Sequence, residues 1–287
     1  MELCSCCAVC RIKEVHIMTD DRLVSVTIPT RNSSKTLESC LEAVQSQTYP
    51  NIEIIVVDSK SSDDTVKIAE RMGAQVISTD WKLLGARYLG CKASKGEHVL
   101  LLDSDQILYP RTIERLVNES KKYDMMCLEE IPYNPTSFLE KLFVADRELI
   151  NSMAEMHLDP IEGVMLARFY RKSILDFVFR KIPIDKLHDV VAHDHAIIYY
   201  EAYNISSKAG VLSRAVMHKE PTSLGELWKK NYRYGRTTRE LVRSNLYVDL
   251  LRKKTRARKG SSWNFKSIQS LLLLLLKGVP YVIGLRF

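Results

Sequence analysis

The ten residues His98–Ile107, HVLLLDSDQI, constrain the fold more than any other stretch. Val99, Leu100, Leu101 and Leu102 form an unbroken apolar run, the pattern of a central strand covered on both faces. Asp103-Ser104-Asp105 follows at once. Open α/β sheets bind ligands at the carboxyl ends of their strands, where the strand order reverses. Two carboxylates at such a place are costly without a partner. A hard divalent cation is the natural one, held by one or two carboxylates and completed by water and phosphate oxygens. The plainer reading is that both aspartates only end a strand and open a turn.

The chain around this stretch alternates strand and helix. Leu23–Thr30 is rich in β-branched residues and reads as the first strand. Leu37, Leu41 and Val44 then keep a helical rhythm. Ile52–Val57 is the second strand, with Asp58 at its end, and a helix follows to Gly73. Gln75–Ser78 is a short third strand, and Leu84–Lys95 a helix leading to the Asp103 strand. Pro110 suits a first helical position, with Ile113, Leu116 and Val117 burying one face. Four alternations predict a doubly wound, mostly parallel sheet. Right-handed crossovers bring the strand ends at 30, 58 and 103 to one edge, and so put Asp58 beside the Asp103/Asp105 pair. A nucleotide-sugar needs such a ledge: a carboxylate for the base or ribose, and a cation for the diphosphate. No Gly-x-Gly-x-x-Gly follows the first strand and no Gly-Lys-Ser/Thr loop occurs, which disfavours dinucleotide and P-loop folds.

These pieces together resemble the family-2 inverting glycosyltransferases of the GT-A fold. The matching segments are VTIPTRN (26–32), IIVVDSKSSDDT (54–65) and LLGARYLGCKASKGEHVLLLDSD (83–105), followed by a histidine–aspartate site and an Arg-Tyr pair, over about residues 22–240. The resemblance implies that Pro29, Thr30 and Asn32 line the nucleotide and that Asp58 binds the base. It implies that Arg87 approaches the nucleotide and that Asp103 and Asp105, with Ser104 between them, form a DxD site for Mn²⁺ or Mg²⁺. The family often has Asp-Gly after the aspartate matching Asp58, whereas this chain has Ser59-Lys60, so base specificity is not carried over and a UDP- or GDP-linked donor is expected.

The second half reads as a strand at Met125–Glu130, a long helix at Phe138–Met156 and a strand at Val164–Tyr170 preceded by Gly163, a site candidate by resemblance. His188–His195 is the densest titratable stretch. Inverting transfer to a hydroxyl needs a base, and a carboxylate near the diphosphate suits that task. Relatives carry Glu-Asp here and this chain His193-Asp194, so the resemblance gives the base role to Asp194, with Asp189 as the alternative. Capping of a helix at Ala196–Tyr203 is the plainer role for Asp194. The strand Gly210–Met217 ends at His218, a metal ligand by resemblance or else a hydrogen-bonded core histidine. The helix Leu224–Arg243 carries Lys230, Arg233 and Tyr234, similar to the Gln-x-x-Arg-Trp motif of processive relatives with Lys for Gln and Tyr for Trp. Arg233 is expected on the leaving diphosphate and Tyr234 beside the acceptor.

Of the 287 residues, 246–287 form a basic linker and an apolar tail. The net charge of +7 owes much to Arg252–Lys259, and with an apolar tail behind it the run suggests an anionic membrane surface; no nucleic-acid recognition motif accompanies it. Ile268–Leu285 is near the lower limit for spanning ~30 Å of hydrocarbon. Trp263 and Phe265 suit the interface, and the basic run suits the cytoplasmic side. A dipping or interfacial segment is favoured, then a short span, then an oligomer contact. This geometry implies a lipid-borne acceptor, a polyprenyl phosphate or a lipid-linked saccharide. Cys4, Cys6, Cys7 and Cys10 in the leader, residues 1–21, are either a metal cluster or outside the fold altogether. Cys40, Cys91 and Cys127 read as buried free thiols of a reducing compartment. Two rivals stay open: a sugar-phosphate nucleotidyltransferase, which should show a Gly-rich loop after the first strand, and a non-catalytic membrane adaptor of the same fold.

Overall fold

The computed structural model describes residues 21–154, 158–260 and 268–287. The leader cysteines, Trp263 and Phe265 lie outside the described residues.

One sheet of eight strands organises the described chain. Its first half is parallel: β1 (Val24–Thr30), β2 (Ile52–Asp58), β3 (Gln75–Ser78) and β4 (His98–Leu101) pair in the order β3-β2-β1-β4. All residues of β1 and β4 are buried. Successive residues of β4 enter opposite cores: Leu100 joins Val26, Ile28, Leu37 and Leu41, while Val99 and Leu101 join Leu84, Cys91 and Tyr170. Burial on both faces is why this strand reads as continuous apolar sequence rather than as an alternation. The strand order reverses between β1 and β4, and the crevice opens there.

The second half makes the sheet mixed. β5 (Gln106–Leu108), β6 (Met125–Pro132), β7 (Ala167–Arg171) and β8 (Ala209–His218) extend the order as β4-β7-β6-β8-β5. β7 is antiparallel to both β4 and β6, β8 is parallel to β6, and β5 is antiparallel to β8. Parallel alternation therefore holds only through β4. The three-residue β5 was not expected, because so short a strand exists only by pairing with β8. The strand expected from Val164 begins at Ala167, where β4 and β6 flank it; residues 164–166 instead line the cleft.

Helices α1 (Leu37–Gln45), α2 (Thr65–Arg71) and α3 (Leu83–Ala93) connect the parallel strands as expected. The helix expected at Pro110 starts two residues later, as α4 (Thr112–Glu119), because the turn before it is tied to α1's end: Thr48 N donates to Pro110 O and Gln47 Nε2 to Tyr109 O. After α5 (Phe138–Ala154) come two helices absent from the sequence reading, α6 (Lys172–Lys181) and α7 (Ile184–Asp189), then α8 (Asp194–Tyr203) and α9 (Leu224–Arg243). Cys40, Cys91 and Cys127 are buried and free, as expected, and burial raises each thiol, that of Cys91 to about 12.

The basic linker forms α10 (Val248–Gly260) and the apolar tail α11 (Ile268–Arg286). α11 packs along α9 and against α5, and Leu273 joins Leu139, Leu142, Phe143 and Leu227. The helices meet at two glycines. A Cβ on Gly235 would strike the Tyr281 carbonyl, and one on Gly284 would strike the Tyr232 carbonyl. Backbone cannot yield as a flexible side chain can. Gly235→Ala is therefore expected to destabilise the packing by about 1–3 kcal/mol, although alanine alone favours a helix by about 1 kcal/mol. A thermal melt, with proteolytic release of α11 as a second readout, checks this; an unchanged or raised melting temperature contradicts it.

Candidate active site

A cleft of about 650 Å³ opens along the carboxyl ends of β1, β2 and β4, and its far walls come from β6, β8, α5, α9 and α11. Pro29, Thr30, Arg87, Asp103, Ser104, Asp105, Asp194, His218, Arg233 and Tyr234 all line it. The topology thus gathers most of the expected residues, which lie far apart in sequence.

Asp58 and Asn32 do a different local job. Asp58 is buried, and its carboxylate accepts from Thr30 Oγ1 at 3.0 Å, Ser61 N at 2.9 Å and Ser61 Oγ at 2.5 Å. Asn32 adopts φ 52°, and its Oδ1 accepts from Ser62 N at 2.8 Å. Together they clamp the loop after β1 to the loop after β2, and neither side chain lines the cleft itself. Gly163 and Asp189 do not line it either. Asp189, the alternative base, is on the surface, 3.2 Å from His188 Nδ1 and 3.5 Å from Lys82.

Asp194 arrives through backbone anchoring. Lys82 N donates to His188 O and Leu84 N to Val190 O, which seats the segment before α8 on the start of α3. Gly85 allows that approach, since a Cβ there would lie 2.6 Å from the Leu187 carbonyl. His193 then turns through φ 65°, and Asp194 opens α8, two residues before the expected start. Its side chain makes no cap; it accepts from Arg87 Nε.

Arg87 is almost wholly buried, and its Nη2 donates to Asp103 Oδ1. The other oxygen of Asp103 accepts from Arg168 Nη1 at 2.6 Å, and Arg168 Nη2 reaches Glu130 Oε1 at 3.2 Å. Both oxygens of Asp103, expected as a metal ligand, are therefore held by guanidinium groups. Burial pushes the Asp103 carboxyl up, but Arg168 and Arg87 outweigh it and hold the group well below the usual range. Asp194 follows the same pattern: burial raises it, and Arg87, then His195, bring it below its ordinary value. His195 is pushed down to about 4, first by burial and then by Arg168 and Arg87, so its ring is neutral at pH 7 and accepts from Arg168.

Asp105 has different neighbours. The pairing of β5 with β8 sets Gln106 opposite His218, and Lys219 N donates to Asp105 O. His218 Nε2 lies 3.5 Å from Asp105 Oδ1, and Lys230 Nζ lies 4.0 Å from Asp105 Oδ2. Burial lowers His218, but Asp105 and Glu220 raise it net. No group of three His, Cys, Asp or Glu side chains suited to a cation occurs among the described residues. The donor set still fits a cation that arrives with a diphosphate: one carboxylate and one imidazole from the protein, phosphate oxygens and water for the rest. Of the three expected metal ligands, Asp103, Asp105 and His218, it is Asp103 that is paired with guanidinium groups.

The cleft residues given no role from sequence include four charged side chains that pair with one another: Glu130, Arg147, Arg168 and Glu220. The signal was charge inside otherwise apolar strands, Arg168 in VMLARFY and Glu130 in MMCLEE. Sequence shows the anomaly but not how the four pair with one another, across 17 to 73 residues of chain.

A sheet whose order reverses beside an acidic strand end, with a mixed second half closing the cleft, defines the GT-A class. The profile described as glycosyl transferase family 2 matches residues 25–175, just over half of the chain, and the chain belongs to that family. Among curated proteins it is similar to glycosyltransferase GlyG of Streptococcus pneumoniae, 35% identical over 109 residues, which is 36% of each chain. It is also similar to the Escherichia coli UDP-Glc:alpha-D-GlcNAc-diphosphoundecaprenol beta-1,3-glucosyltransferase WfgD, 32% identical over 104 residues, 34% of this chain and 41% of that one. The matched region thus covers well under half of these relatives. Among solved structures, glucosyl-3-phosphoglycerate synthase of Mycobacterium tuberculosis, crystallised with Mn²⁺, UDP-Glc and phosphoglyceric acid, superposes with TM-score 0.53 at 18% identity, covering 82% of this chain and 80% of that one. That likeness is one of fold.

Proposed function

We propose that the chain is an inverting glycosyltransferase that moves a sugar from a nucleotide-diphosphate donor to a lipid-linked acceptor at the cytoplasmic face of a membrane. The observation that carries it is the composition of one cleft. The Asp194 carboxylate and the Asp105/His218 pair line the same cavity, with the loop after β1 at one end and an apolar wall at the other. Residues 22–245 would form the catalytic domain and 246–287 the membrane-associating part.

In this reading Pro29 and Thr30 line the nucleotide, with Asn32 and Asp58 shaping the loops behind them. Asp105 and His218 hold the donor's Mn²⁺ or Mg²⁺, which neutralises charge on the leaving diphosphate. Asp103 acts through the guanidinium groups it fixes, with Arg87 held ready beside the donor. Arg233 and Lys230 add positive charge on the same wall, arginine being suited to bidentate phosphate contact. Asp194 takes the proton of an attacking hydroxyl. A non-catalytic adaptor that only binds a nucleotide-sugar would release no nucleoside diphosphate from it.

The acceptor reading rests on the far wall. Phe143, Ile150, Leu166 and Leu227 give it an apolar lining, and Lys277 of α11 reaches it, 2.7 Å from Asp146. WfgD, by its name, acts on a diphosphoundecaprenol-linked sugar, which supports an apolar acceptor here. α11 is long and apolar enough to cross a membrane by length and composition. Ile268, Leu271, Leu274, Leu275, Val279 and Val282 are exposed along it, and Leu224 and Trp228 are exposed on the neighbouring α9. A helix packed on the domain by one side and apolar on the other suits an interfacial position more than a span.

Two assays test the proposal. A panel of UDP- and GDP-sugars with Mn²⁺, with and without polyprenyl phosphate, should release nucleoside diphosphate faster when the lipid is present; no release from any donor defeats the enzyme reading. In liposome flotation, replacing Leu271 and Leu275 with serine should cut vesicle binding several-fold without moving the melting temperature. Undiminished binding defeats the membrane reading.

A further inference from the structure

We propose that Glu220 orients His218 for the cation: its carboxylate accepts a hydrogen bond from Nδ1–H of the neutral ring, which leaves Nε2 as a bare lone pair toward Asp105. This rests on the metal-dependent reading above. Three observations carry it. First, the backbone of His218 is fixed from both sides. Tyr133 N donates to its carbonyl at 2.8 Å, and its register partner Gln106 adjoins Asp105. The Cα cannot shift, so ring orientation and tautomer are the remaining freedoms.

Second, each ring nitrogen faces a carboxylate. Nδ1 lies 3.2 Å from Glu220 Oε1, within ion-pair reach but off the line of a hydrogen bond, so a turn of the ring is needed to align them, and Nε2 lies 3.5 Å from Asp105 Oδ1. Cation binding requires the neutral ring, and a neutral imidazole has one N–H. The nearer and far more buried carboxylate is Glu220, its side chain 2% exposed against 32% for Asp105. It is the stronger claimant for that proton, because a hydrogen bond to a buried carboxylate is electrostatically stronger than one to a solvated carboxylate. The 3.5 Å gap to Asp105 is beyond a good hydrogen bond and leaves two donor atoms side by side.

Third, Glu220 is itself held. Arg147 Nη2 and Nε reach its Oε1 at 3.0 and 3.2 Å, and the same Nη2 meets Glu130 Oε2 at 3.0 Å. Arg147 thus ties Glu220 to the floor of the cleft. A histidine ligand that donates its second N–H to a fixed carboxylate is a recurrent metal-site arrangement, and loss of that partner usually weakens metal binding about 10- to 100-fold. Glu220 touches neither donor nor acceptor in this scheme and is a positioning residue.

The test titrates Mn²⁺ into the full chain with saturating UDP and, separately, GDP, reading free Mn²⁺ by electron paramagnetic resonance. Glu220→Gln should weaken Mn²⁺ binding about 10- to 100-fold, with Glu220→Asp recovering part of the loss. Asp105→Asn is run beside it. Wild-type protein that binds no Mn²⁺ overturns both the metal reading and this one. Mn²⁺ binding that is lost in Asp105→Asn but intact in Glu220→Gln overturns this one alone. If Glu220→Gln does not fold, nitrogen-15 shifts of the wild-type His218 ring decide at pH 8.5: a proton on Nδ1 supports the proposal, and one on Nε2 overturns it.

Discussion

Asp105→Asn is expected to lower turnover by about 10³-fold or more while the protein melts within a few degrees of the wild type. Both halves follow from the surroundings of Asp105. Electrostatic groups aimed at developing charge commonly account for 10²–10³ in rate each, and loss of a ligand also removes the cation's Lewis-acid contribution. The stability half is less obvious for a carboxylate inside a cleft. Asp105 is about one-third exposed, and its nearest charged neighbours, His218 and Lys230, stand 3.5 and 4.0 Å away. Ion pairs of that length and exposure contribute about 1 kcal/mol or less. Asp103→Asn should behave in the opposite way. It releases two buried arginines, and breaking such a pair costs about 3–5 kcal/mol, so its inactivity would report a damaged site. Initial rates with excess EDTA and with added Mn²⁺ complete the experiment. Full activity of Asp105→Asn, or indifference to EDTA, would shift charge neutralisation to Lys230 and Arg233 and retire the metal assignment.

The second large effect is that of Asp194→Asn, and its size depends on the acceptor. General base catalysis is worth about 10²–10⁴ in rate. Arg87 holds Asp194 below its ordinary carboxylate range, which makes it a weak base and places the expected loss toward the lower end. That loss should fall on kcat with a hydroxyl acceptor. With a phosphate monoester the attacking oxygen is already an anion, so the substitution should leave kcat within a few-fold and mainly raise KM. The pair of measurements therefore reports the acceptor class as well as the role of Asp194. Wild-type kcat with every hydroxyl acceptor would remove Asp194 as the base. The asparagine keeps the shape of the residue but strips Arg87 of one of its two carboxylates, and a stability loss of a few kcal/mol is expected alongside.

The parallel half of the sheet was legible in the sequence because its determinants are local. β3 has the expected limits, and α3 runs from Leu83 to Ala93 where a helix at Leu84–Lys95 was expected. Continuous apolar runs mark strands covered on both faces, and a helical rhythm marks the crossovers between them. Motif residues fell into the cleft for the same reason: Thr30, Asp103 and His218 sit at or just beyond strand ends, and a parallel sheet collects those ends. The second half was harder to read. β5 has three residues and no pattern of its own, and α7 has six. Elements that short are stabilised by what they pair with rather than by propensity.

What the chain determined by itself is the ledge: a buried strand that stops at two aspartates, beside a first strand that stops at Pro29-Thr30. Only the tertiary structure decided what each aspartate does there. Asp103 and Asp105 are two residues apart in one turn, yet the first faces Arg87 and Arg168 while the second faces His218 and Lys230. Those partners come from α3, β7, β8 and α9, and charge acts through space with no regard for order along the chain.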